Sequence, residues 1–170
     1  MPTAIFAPNN ANVITVSIDP TTIASDTTRL AGVKSSVVDL AGLTPYPENV
    51  AIGGKFTTGG TVTAGRVIEL AAVASLDGTN WQGPFGGSAG TATISSTNLK
   101  NLICRPVVWI DVTSTANFTY EFGPVPLLSL FGYIPPAVQF FLAHDCGGTL
   151  HGTLSNHVLQ LRPLNGNATW

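Results

Sequence analysis

The most chemically loaded stretch of this 170-residue chain is H-D-C-G-G-T-L-H, residues 144–151. His144, Asp145, Cys146 and His151 are donor types found in zinc sites, and a Cys beside a His is the pairing of an activated thiol. The spacing argues against both. Neighbouring residues of a strand point to opposite faces, so His144 and Asp145, closing the run A-V-Q-F-F-L-A-H, do not readily share one metal. The pattern reads better as a hairpin, with a strand entering Asp145 and Gly147-Gly148 and returning through Thr149-Leu150.

Three other patterns invite chemistry. G-G-S-A-G at 86–90 has the G-x-S-x-G form, and Asp111 and a histidine (144, 151 or 157) follow in the order of a hydrolase triad. A nucleophile elbow, however, needs a strand before the serine and a helix after it. Here Gly83-Pro84-Phe85 precedes and a Thr-rich strand follows, so Ser88 reads as a loop serine. In S-L-D-G-T-N-W, 75–81, Asp77 and Asn80 offer oxygen to a cation, but a calcium loop stacks several such ligands and adds a bidentate Glu. Asp-Gly after an apolar run is instead the signal of a hairpin turn. Trp81 then caps the end of the domain or sits at an interface. Glu69, Asp111 and Glu121 lie in separate strands, and nothing pairs two of them across a cleft as glycoside hydrolysis requires. No catalytic set, metal or cofactor is expected, and the protein is not expected to be an enzyme.

The elements that carry these residues are strands. Gly and Pro (18 and 12 residues) with many Ser and Thr punctuate the chain every eight to twelve residues, the rhythm of an all-β sandwich or jelly roll. Strands are expected at 13–18, 33–40, 49–58, 66–75, 91–96, 106–113, 117–122, 137–144 and 157–162. Gly53-Gly54 marks a bulge. Residues 98–102 suit one helical turn. Residues 82–90 read as a mobile Gly-rich loop. The run V-P-L-L-S-L-F-G-Y-I-P-P, 125–136, looks too broken for a helix and reads as an apolar loop or edge strand. Residues 1–12 form an extended arm, and 13–170 a single antiparallel sandwich.

Composition narrows the partners. Only 9% of residues are charged, against about 25% in a typical soluble domain. A surface so poor in charge suggests that much of it is covered by other chains. The net charge is −2 without a basic cluster, which excludes a phosphate-binding stripe and hence nucleic acid. No apolar run is long enough for a membrane helix, and the N-terminus lacks the basic and apolar regions of a signal peptide. Synthesis and folding in a cytoplasm are expected. There, Cys104 and Cys146 are expected to be buried thiols, with a disulfide as the alternative.

Three segments together resemble small structural proteins of tailed bacteriophages: S-S-V-V-D-L-A-G-L-T-P (35–45), G-R-V-I-E-L-A-A-V-A-S-L-D-G-T-N-W (65–81) and G-Y-I-P-P-A-V-Q-F-F-L-A-H-D-C-G-G-T-L-H-G (132–152). The resemblance spans residues 33–163 and departs at His144-Asp145-Cys146, where such proteins tend to carry an Asn-rich turn. It implies a virion protein, foremost a capsid decoration (cement) protein on the head surface, made in the host cytoplasm. Its partners are then the major capsid protein and copies of itself, with a homotrimer as the simplest closed arrangement. The expected contacts are Pro2, Phe6 and Pro8 on an arm that adds to a neighbour's sheet edge, Trp81 and Phe85 on a loop, Trp109 on one face with Val107, and Leu128, Phe131 and Tyr133. The rival reading is a tail- or neck-associated or fibre-type module that binds a carbohydrate receptor through loop aromatics such as Trp81, Phe85 and Tyr46. An enzyme acting on cell-wall sugars through Glu69, Asp111 or His144 comes third.

Overall fold

Strand alternation decides which residues meet between the sheets. In the computed structural model, which describes residues 13–164, two antiparallel sheets pack face to face as an all-β sandwich. The first contains β1 (Ile14–Thr15), β10 (Val158–Leu164), β4 (Asn49–Thr57) and β8 (Thr119–Pro126), in that spatial order. The second runs β6 (Gly90–Thr93), β2 (Ala31–Lys34), β9 (Ala137–His144), β5 (Arg66–Ser75) and β7 (Arg105–Val112). A two-residue β3 (Val38–Asp39) also pairs with β9. With β2 and β3 counted as one strand and the edge strand β6 set aside, the orders are 1-8-3-6 and 2-7-4-5. That interleaving is the jelly roll.

The central core lies between the sheets. Val50, Ile52, Phe56, Leu159 and Leu161 from the first sheet meet Ile68, Leu70, Ala72, Val138, Phe140 and Leu142 from the second. Each fully buried aliphatic or aromatic side chain contributes roughly 1.5–3 kcal/mol. The other face of the second sheet carries its own apolar cluster, in which Ala71, Val73, Phe141 and Ala143 pack under Phe85, Ile94 and Ile103. All eight residues of β9 are therefore buried, which is why this strand reads as a continuous apolar run rather than an alternating one.

Two bulges shape the sheets. The β4–β8 register shifts between Ile52 and Gly54, where the glycine pair foreshadows it. The β5–β7 register shifts at Leu70/Ala71, so that Leu70 faces Val108 and Ala71 faces Pro106, with Val107 as the extra residue. Val107 consequently turns into the core (8% exposed) while Trp109 stays 51% exposed. The two do not share a face, contrary to simple alternation.

Four other expectations change. First, residues 144–151 are not a hairpin: past β9 the chain leaves for the opposite sheet, where Leu150 bridges Thr58. Second, Asp77-Gly78 is a tight turn, with Gly78 at φ 74°, but it joins no hairpin, because β5 pairs with β7 and β9 while β6 pairs with β2. Third, the 125–136 run holds a helix, α2 (Leu127–Phe131), preceded by Pro126 and closed by Gly132 in the left-handed conformation. Fourth, the 82–90 loop is tied down. Lys34 Nζ donates to the carbonyls of Pro84 (2.8 Å) and Gly86 (2.7 Å), and Gly86 N–H donates to Gln139 Oε1 (2.8 Å). The expected helical turn is α1 (Thr97–Ile103), with Ser96 Oγ accepting from Leu99 N–H. Among the described residues, no helix is long and apolar enough to cross a membrane.

Candidate interaction surface

The histidine–cysteine stretch is pulled apart by its surroundings. His144 is fully buried. Its Nε2 meets the Ile23 carbonyl at 3.3 Å and its Nδ1 accepts from Cys146 N–H at 3.4 Å. Burial lowers its pKa, against the opposing pull of the Ile23 carbonyl and the Asp145 charge. Asp145 turns away from the ring. Its Oδ1 accepts from Val67 N–H at 2.6 Å, and its Oδ2 pairs with Arg29 (3.1 Å) and Arg66 (3.7 Å). Cys146 sits in the central core, its thiol pushed up to about 12 by burial and then by Asp145. His151 spends its Nδ1 on Thr153 N–H and the Asn156 side-chain amide. Among the described residues, no three His, Cys, Asp or Glu side chains converge on a point that would hold a metal. Cys104 lies in the outer cluster rather than the central core, and both cysteines are free thiols. Ser88 is an exposed loop residue followed by a strand, not a helix.

A charge cluster that the sequence did not suggest lies on the outer face of the second sheet. Glu69 Oε2 receives Lys100 Nζ at 2.7 Å and Arg29 Nε at 3.3 Å. Lys100 Nζ also donates to the Arg29 carbonyl at 2.7 Å. The Arg29 guanidinium lies 5.0 Å from the Trp109 ring centroid. Glu69 and Lys100 are only 4% and 7% exposed. The cluster clamps α1 and the 26–31 turn onto the sheet. Every charge in it faces a partner.

The surface itself offers a shallow groove of mixed character, in which large apolar side chains sit beside Gln82 and Arg105. Leu76, Leu102, Phe131 and Tyr133 line it, with Val73 at its floor and Arg105 on its rim. Leu76 is 75% and Leu102 68% exposed. The Phe131 and Tyr133 rings stand 6.3 Å apart. Of the contacts expected from sequence, the structure brings Phe131 and Tyr133 together here. Leu128 is exposed on α2, and Trp109 is exposed on β7. Trp81 is half-buried, its Nε1 donating to the Gly78 carbonyl at 3.3 Å. Phe85 is not an exposed loop aromatic: it is 8% exposed and packs edge-on against Phe141 at 5.9 Å. Tyr46 is exposed, its hydroxyl donating to the Ile134 carbonyl. Pro2, Phe6 and Pro8 lie outside the described residues. Sequence reasoning missed Leu76 and Leu102. The available signal was apolar side chains where water is expected, one at the tip before Asp77-Gly78 and one on the open side of α1.

No protein-family model, curated protein or solved structure matches the chain.

Proposed function

We propose that the protein is a structural component of a virion, a capsid decoration protein that binds the outside of a phage head and reinforces the shell through contacts between subunits. The observation that carries this reading is the cluster of large apolar side chains, Leu76, Leu102, Phe131 and Tyr133, along one surface groove on a sandwich whose sequence is only 9% charged. A surface of this kind is best used when another chain covers it. Jelly rolls serve in viral capsids and also in lectins, so the fold is compatible with the role without deciding it. Covering each exposed leucine adds roughly 1.5–3 kcal/mol, and many equivalent sites on one shell multiply modest contacts through avidity. A homotrimer around a local symmetry axis is the proposed arrangement, with the major capsid protein beneath it.

The test is copy number. Purified particles are resolved on a quantitative gel, and this band is compared with the major shell protein. Hundreds of copies in fixed ratio to the shell are expected, together with fragile heads when the protein is missing. A few to a few dozen copies would move it to the tail or neck and favour the receptor-binding module. Absence from the particle would overturn both.

A further inference from the structure

All three histidines of the chain lie between residues 144 and 157, and two of them hold a loop onto β4 through a single residue. Thr57 gives its carbonyl to His151 N–H (3.0 Å), its hydroxyl to the Asn156 carbonyl (2.9 Å) and its N–H to His157 Nδ1 (3.4 Å). His157 Nε2 meets the His151 carbonyl at 2.8 Å, closing the loop on itself. His151 Nδ1 accepts from Thr153 N–H at 3.0 Å and faces the Asn156 amide at 2.9 Å. These partners dictate the proton positions. A ring nitrogen against a carbonyl must carry the hydrogen, and one against a backbone N–H must not. His157 is thereby held as the neutral Nε2–H form.

We propose that residues 151–157 form an acid-released latch, in which the neutral ring of His157 holds the loop on Thr57 and a proton on its Nδ1 sets donor against donor with the Thr57 N–H and lifts the loop from the sheet. The site has little room to absorb the charge. His157 is 7% exposed, and its ring lies 6.3 Å from that of Phe56. The titratable groups that face it are His151 in its own loop and Asp19 in the segment after β1. Lys55 and Glu121 pair across β4 and β8 one residue along from Phe56 and Tyr120, and so belong to the opposite side of the sheet from Phe56. Burial lowers the His157 pKa from 6.5. The bond to the His151 carbonyl opposes that shift, the charge of His151 adds to it, and Asp19 opposes it. The sign follows: a group whose folded pKa is depressed leaves the docked state at full strength above 6.5 and weakens it as the pH falls below.

Amide hydrogen exchange on the full ¹⁵N-labelled chain tests the latch, with rates normalised to the unfolded chain at each pH. Between about pH 7.5 and about pH 5, protection at Thr57 and His151 is expected to fall selectively, the direction that a lowered His157 pKa dictates. Leu70 and Phe140, in the β5–β9 ladder, should keep theirs. Ring ¹⁵N shifts should show His157 as the Nε2–H tautomer, titrating below 6.5. His157→Gln cannot titrate but retains a donor for the His151 carbonyl, and it should remove most of the fall. If that variant does not fold, the wild-type ring titration and site-resolved exchange decide. The latch is overturned by protection that ignores pH, by equal loss across the β5–β9 ladder, by a ring titrating at or above 6.5, or by a folded His157→Gln variant that keeps the wild-type pH response.

Discussion

Glu69 shows what one residue can do when its partners arrive from distant parts of the chain. A single oxygen holds Lys100 and Arg29, which lie 31 and 40 residues away in sequence. Glu69→Gln preserves shape and removes the charge, leaving Lys100 buried without a counter-ion. A loss of about 3 kcal/mol in urea unfolding is expected, since breaking a buried pair exposes the full cost of the remaining charge. Asp26 makes a different electrostatic claim. Burial pushes its carboxyl up, but the N–H groups of Ala31, Thr28 and Leu30 and the Thr28 hydroxyl outweigh this and bring it down to about 2. Its stabilising effect is therefore present above 3.8 and lost as pH falls through about 2. Asp26→Asn should unfold at lower urea than wild type near neutral pH, and the gap should close in acid titrations below pH 2. The thiols complete the picture. Burial pushes Cys104 to about 11 and Cys146 to about 12, so neither should react with a chromogenic disulfide at about pH 8 until denaturant is added. In the sequence, Glu69 was legible as an oddity, a lone carboxylate in R-V-I-E-L-A-A-V, but alternation says nothing about which distant cation meets it.

At the scale of elements, long strands were legible and their neighbours were not. Arg66–Ser75 and Ala137–His144 start and end where hydrophobic patterning puts them. The helix α2 was missed because prolines at 124, 126, 135 and 136 dominate the 123–136 segment. The signal was nonetheless present in P-L-L-S-L-F-G, with proline at the start and glycine just past the end of a helical turn. Phe85 was misjudged because the loop holding it looks unanchored in sequence. Gln139, a polar residue inside A-V-Q-F-F-L, was the sign that something polar had to reach that strand. Close strand approach gives a sharp test. A Cβ at Gly54 would lie 2.0 Å from the Val158 carbonyl oxygen and 3.2 Å from Leu159 Cα. Backbone is the obstacle, so relief requires parting β4 from β10. Gly54→Ala should cost roughly 2–3 kcal/mol. Gly60→Ala, with nothing within 4 Å, should stay within about 0.5 kcal/mol. Thermal melts of the pair side by side would check both.

At the scale of the molecule, composition and punctuation made the sandwich legible, whereas its jelly-roll winding depends on pairings between segments far apart, which no local pattern encodes. The proposed contact surface was half legible: Phe131 and Tyr133 stand out as aromatics among prolines, but Leu76 and Leu102 become notable only once burial is known. Because both leucines are exposed, Leu76→Glu and Leu102→Glu should leave the melting temperature nearly unchanged. Under the proposed role, each should weaken self-association or attachment to heads by roughly tenfold or more, given the apolar area lost. Analytical sedimentation and a pelleting assay with undecorated heads would measure this, and unchanged binding in both variants would remove the groove from the interface.

The placement of β9 and β10 also bears on how the chain is made. These late strands occupy interior positions of the two sheets: β9 joins β2 and β3 to β5, and β10 joins β1 to β4. Until residues 137–164 leave the ribosome, the nascent chain can form only separate ribbons, β4 with β8, β5 with β7 and β2 with β6. Both sheets can then close only once these two strands have emerged. A ribosome stalled before residue 137 would hold a chain with every inner edge open, the form most exposed to aggregation and to chaperones.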